Sequence, residues 1–327
     1  MDITTKFMGK VIQSPIIAGS CGKTIEIDNI KKLEDSGIGA VILKSLFEEQ
    51  ISQEISNNMR MMQNAGEMID VYNYIAEHTK HDNLDKYLDV IRKAKETTNI
   101  PIIASINCVS VSEWMQFATN IQQAGADGLE LNMFIMPTNI NMSSEDVEQV
   151  YEDTIQTLRR AINIPISLKI SSYSASLAKF SQKLSWMGIA NLSIFNRFIE
   201  HDIDIQQEIT KPINIFSTHE ELYNTIRWTA ILSKLVNCPI TAGGGVHKED
   251  DPIKLLLSGA NTVQVASVLY NEGFDFVTRA NERLKQWMQE KHYNRLTDFR
   301  GHLAIDKNDK ASTFFRVQYM KYYEGIK

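Results

Sequence analysis

Short apolar runs alternate with stretches of helical periodicity almost from one end of the chain to the other. Runs of strand length lie at residues 15–18, 40–44, 101–107, 128–132, 165–170, 191–196, 239–242 and 262–269. Between them, Trp114, Phe117, Ala118 and Ile121 recur at the spacing of one helical stripe. Val147, Val150, Tyr151, Ile155 and Leu158 form a second stripe, with Ser143 and Ser144 as N-cap candidates ahead of it. Residues 220–236 read as a further helix of this kind.

Two short phrases recur. Ala-Gly-Ala-Asp (124–127) precedes the fourth run and Ser-Gly-Ala-Asn (258–261) the eighth, with looser copies at 35–40 and 186–191 before the second and sixth. A helix that ends in glycine and passes at once into a buried strand is the αβ loop of a barrel. Pro101, Pro165 and Pro239 open the third, fifth and seventh runs. Eight strands with intervening helices predict an α/β fold, a parallel (β/α)8 TIM barrel, with residues 1–327 as one domain. A doubly wound open sheet is the alternative, but it would place phosphate-binding glycines after its first strand. Two connections exceed what a barrel needs. Residues 46–99, after the second strand, hold Glu48, Glu49, Met59, Arg60, Met61, Met62 and a helix near 85–97; residues 197–219, after the sixth, are charged and polar. Long βα loops lie on the catalytic face, so both are predicted to roof the site.

Composition narrows the class. The chain has 327 residues, more than the roughly 250 of a plain barrel, and 43% are hydrophobic, enough for a packed core. Its net charge is −6 with no dominant Lys/Arg block, which argues against nucleic acid as a partner. Cys21, Cys108 and Cys238 are widely separated, with no CxxC or Cys/His cluster, so neither a metal site nor a disulfide framework is expected. The N-terminus has only a four-residue apolar run after Pro15, and no stretch reaches the length of a membrane span. A cytoplasmic protein with a small-molecule substrate is the expectation, with no membrane partner.

The strongest chemical signal lies at 237–270, where a strand runs into Gly243, Gly244 and Gly245 before a short helix and the last strand. Adjacent glycines let backbone N–H groups approach an anion without Cβ interference, and the loops after strands seven and eight are the usual phosphate cradle of a barrel. A glycine turn used only for packing is the alternative. Other strand ends carry Lys44, Asn107, Asn132, Lys169 and Asn196 within apolar runs, where an unpaired ammonium or amide costs several kcal/mol. Such residues point to ligands of an anion or a cofactor ring.

In order along the chain, Lys44-Ser45, Asn107, Glu130-Leu-Asn132, Ser167-Leu-Lys169, Gly243-Gly-Gly245 and Gln264-Val-Ala-Ser267 resemble the flavin-binding pattern of dihydroorotate dehydrogenases. The C-terminal Trp287-Met-Gln-Glu-Lys-His-Tyr and Leu296-Thr-Asp-Phe-Arg-Gly301 are similar to that family as well. The resemblance covers essentially the whole chain and implies a barrel that binds FMN and oxidises dihydroorotate to orotate in pyrimidine biosynthesis. By the same resemblance, Ala18 and Gly19 lie beside the flavin ring through their backbone, and Lys44 contacts flavin and substrate. Asn107 and Asn132 bond the ring edge, Asn132 and Asn196 reach substrate, and Lys169 stabilises the reduced ring. Gly244, Gly245, Ala266 and Ser267 hold the phosphate. Lys44, Asn132 and Lys169 are the implied catalytic set. Related soluble enzymes are commonly dimers, and the aromatic tail from 292 to 327 would suit packing on the barrel or a homodimer interface. No amphipathic extension precedes Met8, which disfavours the membrane-associated, quinone-reducing class.

The pattern breaks after the fourth strand. Family members carry a Cys or Ser there as the base; here the segment reads Asn132-Met-Phe-Ile-Met-Pro137-Thr-Asn139, which puts Met136 in that position. A thioether is no base near neutral pH. The Asn-Ser-Met-Gly segment expected after strand two has only a distant echo in Gln63-Asn-Ala-Gly66. Thr138, Cys21 and Cys108 are the substitutes within reach of the strand ends, though both cysteines also suit small buried hydrophobes, and His201, His219 and His247 read as surface histidines. Three other readings stay open: a flavin enzyme for another dihydropyrimidine-like or enone substrate, a non-redox phosphate-binding lyase or isomerase that uses Lys169, and a catalytically silent flavoprotein.

Overall fold

The structure, a computed structural model, describes residues 1–47, 68–107, 111–133, 135–136, 138–305, 320 and 323–324. Glu48, Glu49, the run 59–66, Cys108, Phe134, Pro137 and most of the tail beyond 305 therefore lie outside the described residues.

Eight parallel strands close on themselves. They are Ile16–Ala18, Val41–Ile42, Ile102–Asn107, Gly128–Asn132, Ile166–Ile170, Asn191–Ile194, Ile240–Gly243 and Thr262–Val265. Each pairs with the next, and the eighth returns to the first through Val265↔Ala18. The (β/α)8 barrel expected from the alternating pattern is the observed fold. Helices Ile27–Asp35, Val111–Gln123, Ser144–Ala161, Leu177–Ser185, Glu221–Leu232 and Asp251–Leu257 fill the crossovers, and Asp275–Glu290 follows the eighth strand. Phe117, Ile121, Tyr151, Ile155 and Leu158 are buried against the strands, as their spacing requires. Ser143 caps its helix by accepting from the Asp146 N–H.

Period-2 alternation sorts the strands into an apolar outside and a polar inside. Ser105, Glu130, Ser167, Asn191, Ser193, Thr241 and Thr262 are all buried and hydrogen-bonded among themselves or to neighbours within the barrel. Below this polar layer, an N-terminal hairpin (Thr5–Phe7 with Lys10–Ile12) closes the barrel floor, and Phe7, Met8 and Ile12 cluster with Ile17, Ile42 and Ile103. Gly128 lets the floor pack closely: a Cβ there would stand 2.6 Å from Met8 Cε and displace the end of that side chain.

Several boundaries differ from the sequence expectation. The run 262–269 is a strand only to Val265; a short helix, Ser267–Asn271, buries Val268 and Leu269. An apolar run alone cannot separate a buried strand from a buried helix. The second strand keeps only Val41 and Ile42, and the helix before the third strand spans Met68–Thr97 rather than starting near 85. The loop after the sixth strand contains an antiparallel hairpin, Glu200–Asp204 with Ile209–Ile213, whose largely exposed strands show no buried face for periodicity to reveal. The first part of the tail packs on the barrel. Gly301, Leu303 and Ile305 donate backbone N–H groups to Leu256, Leu257 and Ala230, and Phe299 packs edge-to-face on Trp287 and at a tilt on Tyr293. Among the described residues no helix is long and apolar enough to cross a membrane.

Candidate active site

A cavity of about 470 Å³ opens at the C-terminal ends of the strands. That is within the roughly 300–1,000 Å³ of small-molecule and cofactor pockets. Gly19, Lys44, Asn132, Lys169 and Asn196 line it from the first, second, fourth, fifth and sixth strand ends, and Gly244, Gly245, Ala266 and Ser267 from the seventh and eighth. Ala18 and Asn107 end their strands buried and do not line it.

The polar groups of the wall are arranged in a connected set. Asn132 and Lys169 are register partners on adjacent strands, so both point inward at one level. Asn132 Nδ2 donates to Ser45 Oγ at 3.2 Å, Ser45 bonds Ser20 at 3.0 Å, and Ser45 bonds the fully buried Ser105 at 2.7 Å. Tyr87 closes the inner end, its OH accepting from the Ser105 N–H at 2.8 Å, and burial raises its phenol pKa. Asn196 Nδ2 donates to the carbonyls of Met133 at 3.1 Å and Lys169 at 3.4 Å, which ties the sixth strand end to the fourth and fifth. Lys169 Nζ stands 4.0 Å from Glu130 Oε1.

Two amide atoms of the cavity residues, Asn132 Oδ1 and Gln264 Nε2, are buried with no hydrogen-bond partner among the described residues. The glycines beside them fall into two kinds. Gly19 and Gly245 are required by packing, since a Cβ would stand 2.7 Å from Gln264 Cγ in one and 2.2 Å from Leu222 N in the other. Gly244, at φ +99°, faces space in which a Cβ would meet only Thr225 Oγ1 at 3.6 Å. The triplet therefore leaves an open, Cβ-free surface at Gly244, as an anion cradle needs.

The loop after the sixth strand forms one wall. Arg197 donates to the Glu221 carboxylate and to the carbonyls of Asn214, Ile215 and Phe216, a fork that only guanidinium geometry supplies. Phe216 packs on Tyr270 with ring centroids 5.0 Å apart, and Lys23 lies 5.4 Å from the Tyr270 ring centroid. Ser217 Oγ meets His247 Nε2 at 3.0 Å. His219 reaches the buried Asp251 at 3.1 Å, and Asp251 also accepts from the His247 and Lys248 N–H groups and from Lys254. Burial alone would raise the Asp251 carboxyl; these hydrogen bonds outweigh it and hold it below its ordinary value. His219 and His247 are thus built into the rim and are not ordinary surface histidines, whereas His201 is exposed on the hairpin.

Ser20, Ser217, Phe216 and Arg197 carried no signal in the sequence because loop residues have no period, and Tyr270 none because its helix, Ser267–Asn271, is too short to show one. Gln264 and Glu130 did carry one, as polar residues inside apolar runs. Met136 is 39% exposed, and neither it nor Thr138 lines the cavity. Cys21 does line it, with its thiol pKa raised by burial.

A closed parallel barrel with a lysine- and amide-lined cavity at its C-terminal mouth is the architecture of a (β/α)8 enzyme. The family model described as dihydroorotate dehydrogenase matches residues 2–288, and the chain belongs to that family of flavin oxidoreductases, whose members bind FMN. It is 22% identical over 324 residues to dihydroorotate dehydrogenase (fumarate) of Saccharomyces mikatae, covering 92% of this chain and 98% of the relative. It is 21% identical over 309 residues to the catalytic subunit of dihydroorotate dehydrogenase B (NAD(+)) of Thermoplasma volcanium, with the same coverage of 92% and 98%. It is also 23% identical over 320 residues to the NAD-dependent dihydropyrimidine dehydrogenase subunit PreA of Escherichia coli strain K12, covering 92% of this chain and 76% of the relative.

Proposed function

We propose that this chain is an FMN-dependent oxidoreductase acting on a ring CH–CH bond of a dihydropyrimidine-like substrate, with dihydroorotate the first to test. The observation that carries the reading is the pair of partnerless buried atoms at the cavity, Asn132 Oδ1 and Gln264 Nε2. Leaving each unmet costs about 1–3 kcal/mol, and a flavin ring edge offers both donors and acceptors. Asn132 and Lys169 would hold the ring; Gly244, Gly245, Ala266 and Ser267 would hold the phosphate. When bound, FMN supplies the hydride-accepting chemistry that no side chain provides. The remaining work falls to the chain. Lys169 sets a positive charge in the wall, Lys44 and Asn196 orient the substrate, and Ser20 and Ser45 present hydroxyls at which a proton can rest. Phe216 and Tyr270 keep water out.

A substrate other than dihydroorotate, within the same ring class, is favoured by one observation: Met136, in the position of the expected base, is exposed and does not line the cavity. The similarity to a dihydropyrimidine dehydrogenase subunit supports the same breadth. The lyase reading loses support, because the family to which the chain belongs is one of flavin oxidoreductases.

The test is the absorption spectrum of the purified protein after incubation with FMN, followed by anaerobic bleaching with dihydroorotate, dihydrouracil and dihydrothymine. A 1:1 yellow complex bleached by at least one of them is expected. A protein that takes up no FMN overturns the reading.

A further inference from the structure

The buried carboxylate of Glu130 is unused by the function proposed above. It lies inside the barrel, fully enclosed, on the strand that ends in Asn132. Its Oε2 accepts from Ser193 Oγ at 2.9 Å, while its Oε1 has no hydrogen-bond partner among the described residues. The charged side chain facing it is Lys169, whose Nζ is 4.0 Å from Oε1. Tyr87, bonded to the Ser105 backbone, also feels its charge.

That separation carries the argument. It exceeds hydrogen-bond reach, so the attraction is one of charge alone, and the ammonium keeps its N–H donors for the cavity that it lines. A buried carboxylate is expensive unless something compensates it. Here one oxygen is satisfied by a neutral hydroxyl and the other is left for the lysine. The strand register makes the placement rigid, because Glu130 pairs with Ser167 and Asn132 with Lys169 on the next strand.

We propose that Glu130 is a positioning residue: it anchors the Lys169 ammonium and offsets part of its positive charge, and so sets the reduction potential of the flavin held above it. The inference rests on the FMN reading. With Glu130 neutral, the uncompensated lysine favours the reduced, anionic ring more strongly.

The experiment is a reductive titration of FMN-loaded protein against a reference dye, for the unmodified chain and for Glu130→Gln, Glu130→Asp, Lys169→Gln and the Glu130→Gln/Lys169→Gln pair. Bound flavin is first quantified for each. In Glu130→Gln the ratio of reduced to oxidised flavin at a fixed dye potential is expected to rise about tenfold, the size of one partly screened charge. Glu130→Asp keeps the charge and is expected to restore most of the original ratio. In the Lys169→Gln background the Glu130 change is expected to have a clearly smaller effect, because only the direct field of the carboxylate remains and there is no ammonium left to position. A flavin-loaded Glu130→Gln protein with an unmoved ratio overturns this inference alone, and so does an equal shift with and without Lys169. If Glu130→Gln does not fold, Ser193→Ala replaces it: losing the donor to Oε2 draws the carboxylate toward Lys169 and is expected to lower the ratio, and no change in that folded, flavin-loaded variant overturns the inference. An unmodified chain that binds no FMN instead removes the FMN reading, and this inference falls with it.

Discussion

The backbone N–H of Ser217, in the loop after the sixth strand, donates to the hydroxyl of Ser267, just beyond the eighth, at 2.9 Å. This bond joins the wall loop to the segment expected to hold a phosphate, and Ser217 is held from behind by His247, two residues past the glycine triplet. Three connections therefore converge at one end of the cavity. A change in the wall loop should be felt as a change in anion binding.

Gly244 and Gly245 should separate function from stability. Gly244→Val puts a branched side chain into the open face of the cradle, and it is expected to abolish FMN retention; its φ of +99° adds backbone strain of about 1–2 kcal/mol but no backbone clash. Gly245→Ala drives a Cβ to 2.2 Å from Leu222 N, at φ +72°, and should destabilise by about 3 kcal/mol. The ratio of flavin to protein absorbance, measured beside a melting curve, distinguishes the two. Undiminished flavin in a folded Gly244→Val protein would argue against the cradle.

Arg197 ties the wall loop to helix Glu221–Leu232. Removing its guanidinium frees the carbonyls of 214–216 and leaves Glu221 without that partner. Arg197→Ala is expected to weaken FMN binding about tenfold in a fluorescence titration. Arg197→Lys should recover little, because one ammonium cannot reproduce the fork. Full recovery by lysine would reduce Arg197 to a simple charge.

Asp251 predicts a pH dependence with a definite sign. Its folded-state pKa is held below the ordinary 3.8. Its contribution is therefore complete above the unfolded value and is lost as pH falls through the lower folded one. The gap in melting temperature between the unmodified protein and Asp251→Asn should be constant from about pH 5 upward and shrink below about pH 4. A gap that persists undiminished to the acid limit would show that the carboxylate charge is not what stabilises the rim.

The parts legible in the sequence and the parts that were not follow from periodicity. Asn132, Lys169 and Asn196 stood out because an apolar strand that ends in a polar residue has few explanations in a barrel, and the structure brings all three to one cavity. The glycine triplet was legible for the same reason, though the sequence could not show that Gly244 faces open space while Gly245 packs on Leu222. Ala18 and Asn107 share the strand-end position but do not line the cavity: Ala18 lies one residue out of register, on the outer face, while Asn107 shares the inward face of Ser105 but is buried. The hairpin after the sixth strand and the short helix at 267–271 were missed because the first has no buried face and the second continues an apolar run with Val268 and Leu269, too short to show a helical period. The Arg197 fork and the Ser217–His247 contact join residues distant in sequence through loops, and no local pattern announces them.

Oxidation of a ring CH–CH bond needs a group that takes a proton from carbon, and a positioned base typically contributes about 10²–10⁴-fold to rate. Met136 cannot take a proton, and it is 39% exposed, away from the cavity wall. Cys21 lines the cavity, but burial raises its pKa and keeps it a thiol, a weak base. The hydroxyls that remain, Ser20 and Ser45, ionise less readily still; they are linked to buried Ser105 and to Asn132 and can only relay a proton onward. Flavin bleaching by dihydroorotate is therefore expected to be slow, and Met136→Cys or Met136→Ser should leave it within about twofold, since a base outside the cavity earns no such enhancement. Ser45→Ala should slow bleaching by whichever dihydropyrimidine proves best, by roughly tenfold or more, while flavin stays bound. Stopped-flow absorbance under anaerobic conditions reads all of these rates. A large acceleration in Met136→Cys would mean that the loop carrying residue 136 closes over the cavity during turnover and that the missing base, not the substrate, is what sets this chain apart.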